Sequence, residues 1–230
     1  MKKIAKAALL AEHEVQRSAQ PDGAPGSRDL LLCRLPATPA VFRLLSMSGG
    51  PFETDLIGGV EKVQIKLLDY DPKWPREFER HANVIARALG DTALLIEHIG
   101  STSVPGLAAK PIIDILVVVA DSTDESAYLP QLEAAGYVLR VREPEWNEHR
   151  MFRTPEKTVH VHVYSAGCRE IERNLIFRDR LRQNSNDRKT YEQTKRALAA
   201  KEWNDMNDYA AAKTAVIEAI IGVTLNEDRH

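Results

Sequence analysis

The chain has 230 residues, of which 43% are hydrophobic and 28% charged, and its formal net charge is −2. These values are typical of a globular protein with one sizeable domain and an appendage, and they exclude binding to polyanions through an overall positive charge. Two cysteines without metal-ligand spacing do not indicate a disulfide framework, so a reducing, cytoplasmic location is expected. No apolar run reaches the length of a membrane span, and no membrane partner is expected.

The pattern of the chain changes near residue 60. Residues 1–60 hold eleven of the 24 glycines and prolines, and their pattern permits a helix near 3–18. We therefore predict a low-order N-terminal extension over residues 1–60. Regular patterns define a domain over residues 61–222, and a tail follows over 223–230.

The domain is predicted to begin with strands and to end with helices. Apolar alternation and apolar runs predict strands, and proline and glycine mark the ends of helices. The predicted strands cover residues 63–68, 93–99, 112–119, 137–142, 149–153 and 158–164. The predicted helices cover residues 73–89, 125–135, 167–182, 187–201 and 206–222, and a short turn or helix covers 101–109. This order indicates an α+β fold with a mixed β-sheet, flanking helices and a C-terminal helical segment.

Gly100 and Ser101 follow the apolar residues 94–96 and form a candidate phosphate-binding turn. Glycine lets a backbone approach a ligand closely, and a serine hydroxyl at the start of a helix can bond a phosphate oxygen. A serine that only caps the helix is the alternative.

Asp114 interrupts the apolar run 112–119 near its start. A lone carboxylate in a buried strand is costly, and a metal ion held beside phosphates would explain it. The alternative is a buried acid paired with Lys110 or with a nearby arginine.

The Gly-Ser turn and the acid on the following strand resemble the nucleotidyltransferase superfamily. A longer set of motifs resembles the GrpB family within it. The resemblance extends from about Val63 to about Gly222. It rests on residues 98–107, 110–115, 160–163 and 177–182. It implies a nucleotidyltransferase-like mixed sheet, a nucleoside triphosphate and a divalent metal. The superfamily has an acidic Asp-x-Asp pair, whereas Leu116 stands two residues after Asp114, which puts two-metal catalysis in doubt.

His160 and His162 are two residues apart, so both imidazoles are expected on one face of a strand. The resemblance places the third catalytic acid of the superfamily near this point, and one of these histidines is expected to replace it as general base or metal ligand. With His98 and Asp114, and with His149 as a further candidate, they would form a set that suits zinc, manganese or iron better than magnesium. Histidines satisfied within a half-buried strand are the alternative.

Positive charge is concentrated in residues 169–201, which carry ten lysines and arginines against five acids. We assign phosphate binding to Arg178 and Lys195 in this stretch, together with Gly100, Ser101, Thr102 and Lys110. Two Tyr-x-x-x-Lys pairs, at 191/195 and 209/213, either serve a nucleotide or pack within the helices. A solvated basic face is the alternative for the whole stretch.

Together these features predict a protein that binds a nucleoside triphosphate and a divalent metal and transfers a nucleotidyl group to an unknown acceptor. Asp114, His160 and His162 are the candidate catalytic residues, and the metal is magnesium or manganese, with zinc as an alternative. The partner is a nucleotide or another phosphorylated small molecule, and no nucleic acid is expected. A non-catalytic phosphate-binding module and a His/Asp metal enzyme of other chemistry remain open.

Overall fold

A computed structural model describes residues 54–57, 59, 65–203 and 206–227, which all belong to the compact unit Phe42–His230. Six strands form one sheet in the order β1-β4-β5-β6-β3-β2. The strands are β1 (Asp55–Leu56), β2 (Leu95–Ile99), β3 (Ile113–Val119), β4 (Val138–Glu143), β5 (His149–Arg153) and β6 (Val159–Ser165). The central pair β3 and β6 is parallel and the other pairs are antiparallel, so the sheet is mixed.

Helices cover both faces of this sheet. They are α1 (Trp74–Leu89), α2 (Leu129–Ala134), α3 (Arg169–Gln183), α4 (Ser185–Ala199), α5 (Met206–Ala211) and α6 (Thr214–Glu227). Helices α1 and α2 contribute to the main core on one face, whereas α3 packs on the other face. Helix α3 also shares a second cluster with α4 and α6. No described helix is both long and apolar enough to cross a membrane.

Strand β3 is buried on both faces, which explains its nearly continuous apolar sequence. Its odd-numbered residues belong to the core beneath α1 and α2. Leu116 and Val118 pack on the opposite face against Ile171 and Leu175 of α3. Asp114 lies on this second face as well, because side chains alternate along a strand. The strand therefore places one carboxylate at the edge of the layer beneath α3.

Helix α1 shows how local sequence sets the ends of an element. The Asp71 side chain accepts a hydrogen bond from the Lys73 backbone amide at 2.9 Å, and Pro75 occupies the first turn. The helix ends at Leu89 before Gly90, whose φ is 54°. These bounds confirm the helix predicted at 73–89.

The predicted α+β class, with a mixed sheet, flanking helices and C-terminal helices, is confirmed. The strand predicted at 63–68 is wrong over its described part, residues 65–68, which contribute a single bridge from Leu68 to Ala109. The alternation there has another cause, because Leu67 faces a cavity while its neighbours Lys66 and Leu68 are exposed.

Two boundaries also differ from the sequence-based prediction. Asp55 and Leu56, predicted within the extension, pair with β4 as an edge strand. Helix α6 continues to Glu227, into the predicted tail. The rest of the predicted extension, including the helix near 3–18, lies outside the described residues apart from residues 54–57 and 59.

Candidate functional site

The turn after β2 brings Gly100 against Asp114. Gly100 has φ 69° and ψ −176°, and residues Ser101–Ser103 form one 3-10 turn. A Cβ atom added at Gly100 would lie 2.3 Å from Asp114 Oδ2. Ser103 closes the turn by donating its hydroxyl to the Gly100 carbonyl at 2.6 Å. The element is too short for a helix dipole of any size, so its contribution to anion binding must come from side chains and individual amides.

Asp114 meets His160 and His162 across the parallel pair of strands. Asp114 is directly opposite His160 in the register, and His162 is opposite Leu116. Asp114 Oδ1 lies 3.6 Å from His160 Nδ1 and 3.5 Å from His162 Nε2. One ligand atom from each of the three side chains falls within 4.8 Å of the others. Burial alone would raise the pKa of Asp114, but the two neighbouring imidazoles of His160 and His162 outweigh it and hold that pKa well below the usual range.

A cavity of about 330 Å³ opens beside this cluster. Its volume lies at the lower end of the range typical of small-molecule sites. The walls include the turn residues Gly100, Ser101 and Thr102 and the aromatic residues Tyr164, Tyr191 and Tyr209. Elements distant in sequence therefore converge on one space, with Asp114 and the two histidines on one part of its wall.

Three lysines line the same cavity: Lys110, Lys195 and Lys213. Lys195 Nζ donates a hydrogen bond to Ser101 Oγ at 3.0 Å and another to the Ala108 carbonyl. Burial, followed by the charge of Lys213, lowers the pKa of Lys195 to about 7. Burial, followed by the charge of Lys110, lowers the pKa of Lys213 to about 8. Neighbouring ammonium groups that are partly removed from water favour an anionic ligand between them.

The lysines also contact the aromatic walls. Lys195 Nζ lies 4.8 Å from the centre of the Tyr191 ring, and Lys213 Nζ lies 4.8 Å from that of Tyr209. Lys110 Nζ also lies 5.4 Å from the centre of the Tyr209 ring. These cation–π contacts hold the ammonium groups in place without neutralising them.

His98 does not join the predicted metal cluster. It is opposite Ile115 in the register, and so it lies on the α1 face of the sheet, whereas Asp114 lies on the α3 face. Its ring stacks on Phe78 at 4.6 Å, and its Nε2 atom pairs with Thr102 Oγ1 at 3.1 Å. Burial lowers the pKa of His98 to about 4. The sequence-based assignment of His98 as a metal ligand is therefore corrected, because strand alternation separates it from Asp114.

Arg178 also lies outside the cavity lining. Its guanidinium donates to Glu97 Oε2 at 2.7 Å, to Asp179 and to the His98 carbonyl, and so ties α3 to β2. The predicted phosphate role of Arg178 is corrected to a structural one. Thr102 does line the cavity, but its hydroxyl donates to the Ile112 carbonyl at 3.1 Å, which leaves little capacity for a ligand.

Comparison with known proteins assigns this chain to a sequence family. The protein-family model for GrpB protein matches residues 64–222. The chain belongs to the GrpB family. A UPF0157 protein of Halalkalibacterium halodurans is 54% identical over 159 residues, which cover 69% of this chain and 82% of the relative.

Solved structures include another GrpB protein. The crystal structure of conserved protein GrpB from Enterococcus faecalis aligns with a TM-score of 0.63 and 35% identity, covering 72% of this chain and all of that one. The Cid1 poly(U) polymerase bound to MgATP aligns with a TM-score of 0.39 and 12% identity over 56% of this chain, a likeness too weak to support any inference.

Some residues of the site are absent from the sequence-based assignment. Lys213 and Tyr209 were recognisable only as one of two Tyr-x-x-x-Lys pairs, which equally suited packing between helices. His149, a further candidate from the sequence, does approach the cluster, because its Nε2 atom lies 3.1 Å from His162 Nδ1. Glu143 was not a candidate, and it joins through a 2.6 Å contact with His149 Nδ1. Nothing in the local sequence around residue 143 indicates this, since the contact depends on the register of three strands.

Proposed function

We propose that this GrpB protein is a metal-dependent enzyme that binds a nucleoside triphosphate, or a related phosphorylated small molecule, and transfers its nucleotidyl group to an acceptor. One observation supports this more than any other: the carboxylate and imidazoles at Asp114 face the same cavity as the three lysines. A site for a cation beside a site for anions suits a metal-bound polyphosphate.

The side chains around Asp114 fit a divalent cation. One carboxylate and two imidazoles within 4.8 Å of one another match the ligands of zinc, manganese or iron better than those of magnesium, which prefers oxygen. In this proposal Asp114, His160 and His162 hold the metal. A bound metal would supply Lewis-acid stabilisation of charge on a phosphoryl oxygen.

The lysines fit a ligand with several negative charges. Among the described residues, no ion pair joins a carboxylate to Lys195 or to Lys213. A buried ammonium group without a counter-ion is costly, and a polyphosphate would offset that cost. Ser101 contributes its hydroxyl beside Lys195, and Tyr191 or Tyr209 offers a ring face to the rest of the ligand.

Nucleotidyl transfer at this site needs no further reactant. An acceptor oxygen forms a bond to the α-phosphorus, and the bond between that phosphorus and the bridging oxygen breaks. Pyrophosphate leaves with the bonding electrons, and the acceptor hydroxyl gives its proton to solvent, because both imidazoles beside Asp114 hold the metal in this proposal. The lysines stabilise the charge that develops on the leaving group.

A metal-dependent enzyme of other chemistry is the second candidate, and Leu116 favours it. Leu116 stands where the superfamily has its second acid, and His162 is opposite it in the register. The carboxylate pair is thus replaced by ligands from two strands. Such a site can hold one metal with open positions, which also suits hydrolysis of a phosphate ester.

The test compares wild type with Asp114→Asn, and Asp91→Asn serves as an exposed control outside the cavity. We expect wild type to bind manganese or zinc, and to bind ATP more tightly with the metal than without it. Asp114→Asn should lose at least about tenfold in metal affinity, because it removes a charged ligand. Calorimetry measures both affinities, and mass spectrometry of ATP incubations detects nucleotidyl products. Wild type that binds neither metal nor ATP would rule the proposal out.

A further inference from the structure

A row of polar side chains in contact with one another leads from Asp114 into the interior of the sheet. His162 Nε2 lies 3.5 Å from Asp114 Oδ1, and His162 Nδ1 lies 3.1 Å from His149 Nε2. His149 Nδ1 lies 2.6 Å from Glu143 Oε2. The four side chains come from the adjacent strands β3, β6, β5 and β4. The row therefore crosses most of the sheet on one face.

The inner two members are well buried. Glu143 is 5% exposed and His149 is 6% exposed, and neither lines the cavity. The His149 ring stacks on Tyr164 at 4.8 Å and meets the edge of Trp146 at 5.5 Å. An apolar pair would serve packing at least as well as a buried carboxylate and imidazole. Packing alone therefore does not explain the buried pair Glu143 and His149, and a role at the Asp114 cluster would explain it.

The row fixes which nitrogen of each ring carries a proton. The Glu143 carboxylate only accepts, so His149 Nδ1 carries the proton of that bond and His149 Nε2 has a free lone pair. That lone pair accepts a hydrogen bond from His162 Nδ1. His162 Nε2 is then left with its lone pair directed at Asp114, and a lone pair is what a metal ion needs.

We propose that Glu143 and His149 are positioning residues that orient the His162 ring with its Nε2 atom facing the metal. This inference rests on the proposed metal site at Asp114. Two acceptors then face each other at 3.5 Å. Ligand atoms about 3.0–3.6 Å apart are what metal bonds of about 2.0–2.2 Å produce. A cation between Asp114 and His162 satisfies both.

The first test observes the tautomer directly in metal-free protein. Long-range ¹H–¹⁵N spectra of ¹⁵N-histidine-labelled wild type, at a pH of about 8 where ordinary histidines are neutral, should show His162 protonated at Nδ1. In His149→Phe this preference should be lost, because the phenyl ring keeps the stacking but offers no acceptor. A wild-type His162 protonated at Nε2 would overturn the inference, whether or not the protein binds a metal.

The second test measures metal binding. We expect His149→Phe to bind zinc and cobalt about 10–100-fold more weakly than wild type, as for other partners of metal ligands, and to alter the visible spectrum of bound cobalt. His81→Phe is the matched control, because His81 is another buried histidine whose Nδ1 pairs with a side chain, Tyr137, away from the cavity. It should leave the affinity and spectrum unchanged.

A double variant keeps the test valid if His149→Phe alone does not fold. Glu143→Met with His149→Phe replaces the buried polar pair by apolar groups of similar size, which proteins generally tolerate. It should fold and still lose metal affinity about 10–100-fold. If wild type binds metal and both variants bind it equally well with the same cobalt spectrum, the positioning role is wrong and the metal site stands. If wild type binds no metal, the proposed function fails and the tautomer alone decides this inference.

Discussion

At the residue scale, two separate features of the structure require a glycine at Gly100. Its φ of 69° lies in the left-handed region, and the Asp114 carboxylate lies where a side chain would begin. The glycine of the Gly-Ser turn is thus linked to the acid of the next strand by direct contact. The turn and the acid form one unit, so a change in either moves the other.

Gly100→Ala is expected to damage both stability and the site. Gly106 provides a matched control, because its φ is 77° and nothing lies within 4 Å of an added Cβ. Gly106→Ala should cost only the left-handed strain, about 1–2 kcal/mol. Gly100→Ala should cost about 1–3 kcal/mol more through overpacking, and should weaken metal binding by displacing Asp114. Denaturant unfolding and metal titration measure the two effects, and equal losses in the two variants would contradict the contact.

At the scale of elements, α3 joins the sheet through an ion pair between a buried arginine, Arg178, and the half-buried Glu97. Arg178 has partners on β2 and on its own helix. Four of the six other arginines of the basic stretch are likewise paired: Arg173 with Glu218, Arg180 with Asp187, Arg182 with Asp179, and Arg196 with Asp69 and Glu192. The local excess of positive charge therefore contributes mainly to packing between elements, whereas the three lysines line the cavity.

Arg178→Met and Lys195→Met should have opposite effects. Arg178→Met leaves Glu97 without its partner and should cost about 2–4 kcal/mol of stability with little change in triphosphate affinity. Lys195→Met should leave stability equal or higher, because it removes a buried charge, and should weaken triphosphate binding about tenfold or more. The exposed residues Arg169 and Lys189 supply controls on the same helices. Melting curves and calorimetry separate the two patterns, and reduced affinity in Arg178→Met would reverse our assignment.

A second prediction at the scale of elements concerns the edge strand β1. Arg140 is 7% exposed and donates to the carbonyls of Ile57 and Gly59. A chain that begins at residue 54 should keep the melting temperature of the full chain, as expected for a low-order extension. A chain that begins at residue 61 should melt about 3–8 °C lower, because Arg140 loses the carbonyl acceptors of Ile57 and Gly59. Identical melting of the two truncated chains would show that β1 contributes nothing.

At the scale of the whole molecule, local patterns and long-range contacts were unequally predictable. Strand β3 and helix α1 follow from periodicity, and the spacing of His160 and His162 predicts their common face. Strand register is not encoded locally, so the sequence could not separate His98 from Asp114 or show that Glu143 reaches the cluster through His149. The partner of Arg178 depends in the same way on how α3 docks. Residue types at short sequence spacings therefore predicted parts of the site, whereas contacts between distant segments of the chain could not be predicted.

The lysine cluster predicts that anion binding takes up protons. In the unliganded protein the pKa values of Lys195 and Lys213 are lowered to about 7 and about 8, so both are partly neutral near pH 8. An anion favours their charged forms and raises both pKa values. Affinity for inorganic triphosphate should therefore fall as the pH rises from about 7 to about 9.

Calorimetry at a pH of about 8, in buffers with different ionisation enthalpies, measures this uptake directly, because the apparent binding enthalpy changes with the buffer in proportion to the protons bound. We expect an uptake of about half a proton or more for wild type and less for Lys195→Met. The same lowered pKa values set the pH dependence of stability in the unliganded protein. Between these values and about 10.4 the unfolded chain binds more protons than the folded protein, so the free energy of unfolding should rise with pH across that range. Triphosphate binding without proton uptake would show that these lysines do not meet the anion.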